Sequence, residues 1–162
     1  MADREQLFER YTAGPALLRA AWDQVPAAAR QWRPAPGKWS AHEIVVHCAD
    51  SETNSAMRIR YLAGEDSPLI VGYDQDRWAT SLDYHRLSPD LALRQIEMVR
   101  LWTGDFIRSL PPSVWSRSGR HTEVEGPYTA EMWLTIYAEH LEIHGRQLGR
   151  NLGAWKARAP QA

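Results

Sequence analysis

His140 and His144 stand four residues apart in YTAEMWLTIYAEHLEIHGRQLGR, the stretch from Tyr128 to Arg150. In a helix, two imidazoles at this spacing lie about 40° apart around the axis and about 6 Å apart along it, close enough to share one metal ion. Trp133, Ile136, Tyr137, Leu148 and Asn151 fall on or beside the same stripe, so the pair faces a buried side rather than solvent. Two titratable groups on an apolar stripe need hydrogen-bond or metal partners to offset their burial. The spacing alone does not choose between these, because neutral histidine also satisfies itself in protein cores. A zinc-protease reading fails, since Leu141 and not a glutamate follows His140.

A third histidine has a similar setting. Trp39-Ser40-Ala41-His42-Glu43-Ile44 reads as a capping box, with Ser40 and Glu43 able to satisfy each other's backbone amides and Trp39 able to staple onto Ile44. A helix therefore starts at Ser40 and runs to about Gly64, with an inward stripe of Ile44, His47, Cys48, Ser51, Ser55, Arg58 and Leu62. His47 lies a turn and a half inside it, where capping gives it no role. Facing helices of a bundle bring side chains together across a core, so His47, His140 and His144 can form a mononuclear site. Three neutral imidazoles suit Zn, Ni, Fe or Co and leave positions for water, the layout of a catalytic site.

The elements that must position these residues follow from periodicity and punctuation. Leu7, Tyr11, Gly14, Leu18, Ala21 and Val25 mark an amphipathic helix over Asp3 to Gln24, with a kink or break expected at Gly14-Pro15. Pro26 to Lys38 is a loop, and Asp66 to Leu87 is a long connection with a short helical turn near Asp74 to Thr80. Ser88-Pro89-Asp90 starts the next helix and Leu110-Pro111-Pro112 ends it. Its buried face is read as Leu91, Gln95, Met98, Trp102 and Phe106. Residues 111 to 127 alternate only at His121 to Glu125, too briefly to establish a sheet, and Thr129 caps the last helix. The expected fold is all-α, a single-domain four-helix bundle over residues 1–162, with long connections between helices two and three and between three and four.

Composition narrows the partners. The 162 residues can bury a core without disulfides, and one cysteine, Cys48, permits no intrachain bridge. With 19 basic residues interleaved with 20 acidic ones, the formal charge of −1 argues against nucleic acid. No apolar run reaches the roughly 18 residues of a membrane span, and MADREQLFER carries no signal pattern, so a cytoplasmic setting is expected. Eight tryptophans fit aromatic packing or a binding cleft, and an apolar helix face makes a homodimer plausible.

GKWSAHEIVVHCADSE, followed far downstream by YAEHLEIHGRQLGR, resembles the DinB/YfiT-like superfamily of small four-helix proteins. The resemblance covers nearly the whole chain, including Gln147 after the histidine pair, and no departure appears at the motif histidines. It implies His47, His140 and His144 as the metal ligands, with water completing the coordination. The family it implies includes transferases and an isomerase dependent on a low-molecular-weight thiol, and metal-dependent hydrolases. A divalent ion, Zn or Ni foremost, would lower the pKa of a water or thiol and supply a nucleophile near neutral pH.

The leading expectation is thus a metal-dependent enzyme, with a small-molecule electrophile as substrate and a low-molecular-weight thiol as optional cosubstrate. A non-catalytic metal-binding module and a purely structural bundle are the alternatives. Asp50 and Asp105 are conceivable supports for the ligands, although solvated helix acids are the simpler reading. Glu139 and Glu142 are read as solvated, and His42, His85 and His121 as surface residues. Tyr137 and Trp133 are read chiefly as core. Arg58 either meets an anionic substrate or snorkels to the bundle end, and Cys48 is read as a small buried hydrophobe.

Overall fold

The computed structural model of the protein describes residues 4–158. Four long helices dominate: α1 (Arg4–Asp23), α3 (Ala41–Gly64), α5 (Pro89–Ser109) and α6 (Ala130–Ala157), joined by the short helices α2 (Ala27–Arg30) and α4 (Gln75–Ser81). α1 packs on α5 and α6, and α3 packs on the same two, so α1 and α3 face each other across the bundle diagonal. Two consecutive long helices are therefore not neighbours, and the chain between them must cross an end of the bundle. The expected four-helix bundle is the observed architecture.

The starts of the helices follow the sequence signals. Ser40 accepts a hydrogen bond from the Glu43 amide at 3.2 Å, and the Glu43 carboxylate accepts one from the Ser40 amide at 2.8 Å. Ser88, Thr129 and Asp74 cap α5, α6 and α4 with one bond each, the side chain accepting from the amide three residues on. Trp39 lies against the His47 ring, with centroids 4.6 Å apart.

Besides the single turn of α2 inside the segment expected to be a loop, three findings depart from expectation. First, a small sheet exists: β1 (Leu69–Ile70) pairs in parallel with β2 (Ser118–His121), which pairs antiparallel with β3 (Pro127–Thr129). Strands of two to four residues are too short to show alternation, and the pairing joins distant segments. At Gly119 a side chain would overlap the Pro68 carbonyl, so only glycine lets these segments approach.

Second, α1 runs unbroken through Pro15. Proline cannot donate to the carbonyl four residues back, that of Tyr11, and the Arg100 guanidinium supplies the bond instead, with Nη1 at 2.8 Å from the Tyr11 oxygen. Gly14 permits the close crossing of α1 and α6, since a Cβ there would lie 3.1 Å from Cβ of Leu141.

Third, the buried face of α5 is not the apolar stripe read from sequence. Ala92, Leu93, Ile96, Arg100, Thr103 and Ile107 point inward, whereas Leu91, Met98 and Trp102 are 64%, 64% and 56% exposed. The inward stripe carries a charge, which displaced the periodicity reading by one face.

The core is in two parts. One is built around Trp22, Ile44, Val45, Leu93, Ile96, Leu141 and Leu148, the other around Leu7, Tyr11, Ile59, Leu62, Ile107 and Trp133. Between them along α3 and α5 lie the buried polar residues Glu52, Ser55, Arg100 and Thr103.

The two glycine environments separate in stability measurements. Gly14→Leu should lower the unfolding free energy by about 1–3 kcal/mol through overpacking against Leu141. Gly149→Ala, at an exposed site of α6 with open space around it, should raise it by about 0.5–1 kcal/mol. Urea denaturation of the two variants checks both signs.

Candidate metal centre

α3 contributes His47 and α6 contributes His140 and His144 to one point in the bundle. One ring nitrogen from each can be chosen so that all three lie within 4.8 Å of one another. The ring centroids are 5.7 Å apart for His47 and His140, 4.9 Å for His47 and His144, and 4.7 Å for His140 and His144, with the rings edge to face.

Groups behind the rings fix how two of them point. His140 Nδ1 lies 2.8 Å from Glu52 Oε1, and a carboxylate can only accept, so Nδ1 carries the proton. His144 Nδ1 lies 2.8 Å from Gln147 Oε1 and donates to it likewise. In both rings the Nε2 lone pair is left for a ligand bond, the arrangement in which an outer acceptor sets the tautomer and raises ligand basicity. His47 is 1% exposed, and its Nδ1 has no hydrogen-bond partner among the described residues. Burial, then the neighbouring His144 and His140, push its pKa down to about 2. Burial and His140 hold His144 down to about 4. Both rings are therefore neutral near pH 7, the form that ligates metal. An unpartnered buried ring nitrogen beside two preset lone pairs fits a divalent ion bound by three imidazoles.

The support for His140 is itself buried. Glu52 is fully buried and Arg100 is 2% exposed; they meet through Arg100 Nε to Glu52 Oε2 at 2.5 Å and Nη2 to Oε1 at 2.7 Å. Arg100 also donates to the carbonyls of Tyr11 at 2.8 Å and Tyr137 at 2.7 Å. Burial pushes the Glu52 carboxyl up, but the Arg100 guanidinium and the His140 N–H outweigh it and hold it below the usual carboxylate range. Glu52 thus stays ionised in a dry interior and can hold the His140 proton.

The three rings form one end of a cavity of about 310 Å³ that reaches past Ser51 and Tyr137 to Arg58, Tyr73 and His121. Of the other residues considered from sequence, Asp50 accepts a hydrogen bond from Tyr84 at 2.5 Å and Asp105 is exposed. Neither touches the three rings; Glu52 holds the place assigned to them. Glu139 and Glu142 pair with Arg10 at 3.1 and 2.7 Å. Trp133 is core, donating to the Ser55 carbonyl at 3.1 Å, whereas Tyr137 is buried and also lines the cavity. Cys48 is wholly buried and its thiol pKa is pushed up by burial. The surface reading fails for His42, buried with Nε2 at 2.8 Å from the Leu87 carbonyl, and for His121, 7% exposed in the cavity wall. His85 is half-buried beside Ser40 at 2.8 Å.

Breaking one partner of a buried ion pair strands the other. Glu52→Gln should lower the unfolding free energy by about 3–5 kcal/mol and weaken zinc binding by about 10- to 100-fold. Chemical denaturation and competition with a chromogenic chelator measure the two effects; an unchanged midpoint would contradict the geometry.

Residues 10–148 match the family model described as the DinB superfamily. The chain is 31% identical over 122 residues to the Bacillus subtilis protein named "Putative metal-dependent hydrolase YfiT", covering 72% of this chain and 67% of the relative. A Bacillus licheniformis protein of the same description is 25% identical over 144 residues, 85% of this chain and 82% of the relative. Another from Oceanobacillus iheyensis is 31% identical over 108 residues, and there the match spans 62% of the relative. The solved structure of Bacillus subtilis YfiT, described as having an unusual four-helix bundle topology, superposes with a TM-score of 0.82 at 24% identity, over 93% of this chain and 87% of that one. The chain belongs to the DinB superfamily.

Proposed function

We propose that the protein is a metal-dependent enzyme that uses a water or a low-molecular-weight thiol to attack a small electrophilic substrate, by hydrolysis or by thiol transfer. His47, His140 and His144 would hold the ion, with Zn or Ni the best matches to three neutral nitrogens. When bound, such an ion supplies a Lewis acid and lowers the pKa of a water or thiol toward neutrality. The observation that carries this reading is the convergence of three imidazoles on an open cavity, two of them oriented from behind by Glu52 and Gln147. The naming of the relatives as metal-dependent hydrolases agrees with it.

The chain's own residues have separable tasks. Glu52 keeps the His140 proton on Nδ1, and Arg100 keeps Glu52 ionised while it does so. Gln147 does the same for His144 without adding charge. Trp39 and Tyr137 cover the rings of His47 and His140 at centroid distances of 4.6 and 5.5 Å and limit access of bulk water. The cavity beside the rings favours catalysis over metal storage, which needs no space for a substrate.

A homodimer in the cytoplasm belongs to the same proposal. Leu91, Met98, Leu101 and Trp102 form an exposed apolar face along α5, larger than scattered surface hydrophobes require, and a second copy is the occupant we assign to it. No helix of the described residues is long and apolar enough to cross a membrane. Sedimentation velocity should show a dimer that Met98→Glu converts to monomer.

The decisive measurement is the metal content of protein purified without a histidine tag, by elemental mass spectrometry. Near-stoichiometric metal is expected in the wild type, with at least tenfold less in His47→Ala and His140→Ala. Wild-type protein that takes up neither Zn nor Ni on dialysis overturns the reading.

A further inference from the structure

Beyond the three histidines, the cavity wall carries a group of hydrogen-bond donors in Arg58, His121 and Tyr73. Arg58 lines it, half-buried, with Nη1 donating to the Tyr137 hydroxyl at 3.1 Å and Nη2 to the Val71 carbonyl at 2.9 Å. Those two bonds fix the guanidinium plane and leave three of its five N–H groups. Among the described residues no carboxylate lies within ion-pair distance of Arg58, in contrast to Arg4, Arg10, Arg33 and Arg100, which all have acidic partners.

Two neighbours add to this. His121 Nδ1 accepts a hydrogen bond from the Glu123 amide at 3.1 Å, so the proton of the neutral ring sits on Nε2, a donor. Burial, then the nearby Arg58 charge, lower the His121 pKa and keep the ring in that form. The Tyr73 hydroxyl is buried near Ser51 but makes no hydrogen bond within 3.5 Å among the described residues; Tyr73 lines the same cavity and its ring stands 6.0 Å from the Arg58 guanidinium carbon. A buried hydroxyl left unpaired costs free energy that a ligand acceptor would relieve.

We propose that Arg58, His121 and Tyr73 form a cradle for a carboxylate, and that the substrate is a small organic acid whose carboxylate is anchored there. The same cavity is also lined by Tyr128, Ile136 and Tyr137, which suit an apolar or aromatic body. A volume of about 310 Å³ admits a compact acid. Among the described residues Glu123 is the one acidic side chain lining the cavity; it is exposed and borders, together with Tyr73, Asp74 and Asp76, an outer depression, so its charge opposes the cradle from the solvent side. The cradle stands on the cavity's geometry alone; its task of aiming a reactive carbon at the three histidines rests on the metal-dependent reading above.

Isothermal titration of phenylacetate, phenylacetamide and phenethylamine into metal-free and zinc-loaded protein tests the cradle. Phenylacetate should bind both forms at least tenfold more tightly than the amide or the amine. Arg58→Gln should lose roughly 10- to 100-fold of that affinity, as expected for charge-assisted bonds, and Tyr73→Phe, which removes only a hydroxyl, about fivefold. Circular dichroism melts confirm that each variant is folded, and the Tyr73→Phe result stands if Arg58→Gln is not. Equal affinity for acid and amide, tighter binding of the amine, or full affinity in both variants overturns the cradle. Phenylacetate binding seen only with zinc and lost in His140→Ala, not in Arg58→Gln, overturns it while leaving the metal reading intact. Arg58-dependent binding by a protein that takes up no zinc has the opposite meaning: the cradle holds and the metal reading falls.

Discussion

A bidentate pair between Glu52 and Arg100, closed off from water, is the constraint on which the arrangement depends. Burying two charges costs several kcal/mol per ion before their attraction is counted. The cost is offset only if the remaining donors and acceptors are also satisfied. Here they are: Arg100 reaches carbonyls on α1 and α6, and Glu52 on α3 takes the N–H of His140. One guanidinium thereby ties all four long helices together. An apolar layer of equal volume would be at least as stable, so the pair is better understood through what it orients than through net stability.

What it orients is one side of the candidate metal centre. The three histidines divide into two kinds. His140 and His144 are held from behind by acceptors that leave Nε2 free, and His47 is held by packing against Trp39 and by the helix that carries it. Charge is also divided. The carboxylate that orients His140 is neutralised by Arg100 on the side away from the rings, so the support for the candidate site adds no net charge to it. Arg58, which lines the same cavity, has no such neutralising partner among the described residues.

Much of this was legible in the sequence, and the part that was not has a common physical cause. The capping box at Ser40 and the four-residue histidine spacing are local patterns, and both appear in the structure as read. Glu52 and Arg100 were missed because a charged residue on a helix is ordinarily solvated, and neither reveals its partner 48 residues away. The same assumption turned α5 around: Leu91, Met98 and Trp102 outrank Arg100 and Thr103 in hydropathy, yet the latter two face inward. Glu52 does carry one usable signal, its helical spacing from the apolar residues Cys48, Ala56 and Ile59, all of them buried. His121 and the strand that holds it were hidden for a different reason, since pairing with β1 depends on contacts about fifty residues apart.

Pro15 has a consequence for the order in which the chain acquires its function. By leaving the Tyr11 carbonyl without its helical donor, it creates the receptor that Arg100 occupies. The links from Arg100 to Tyr11, Glu52 and Tyr137 span 89, 48 and 37 positions, and the link from Glu52 to His140 spans 88. Contacts of that range carry the largest loop-closure entropy and form after local structure. On a ribosome, α1 and α3 emerge and can coil long before α6 exists. The nascent chain therefore has His47 early but no oriented His140, and the three imidazoles converge only once α6 has packed against α1 and α3.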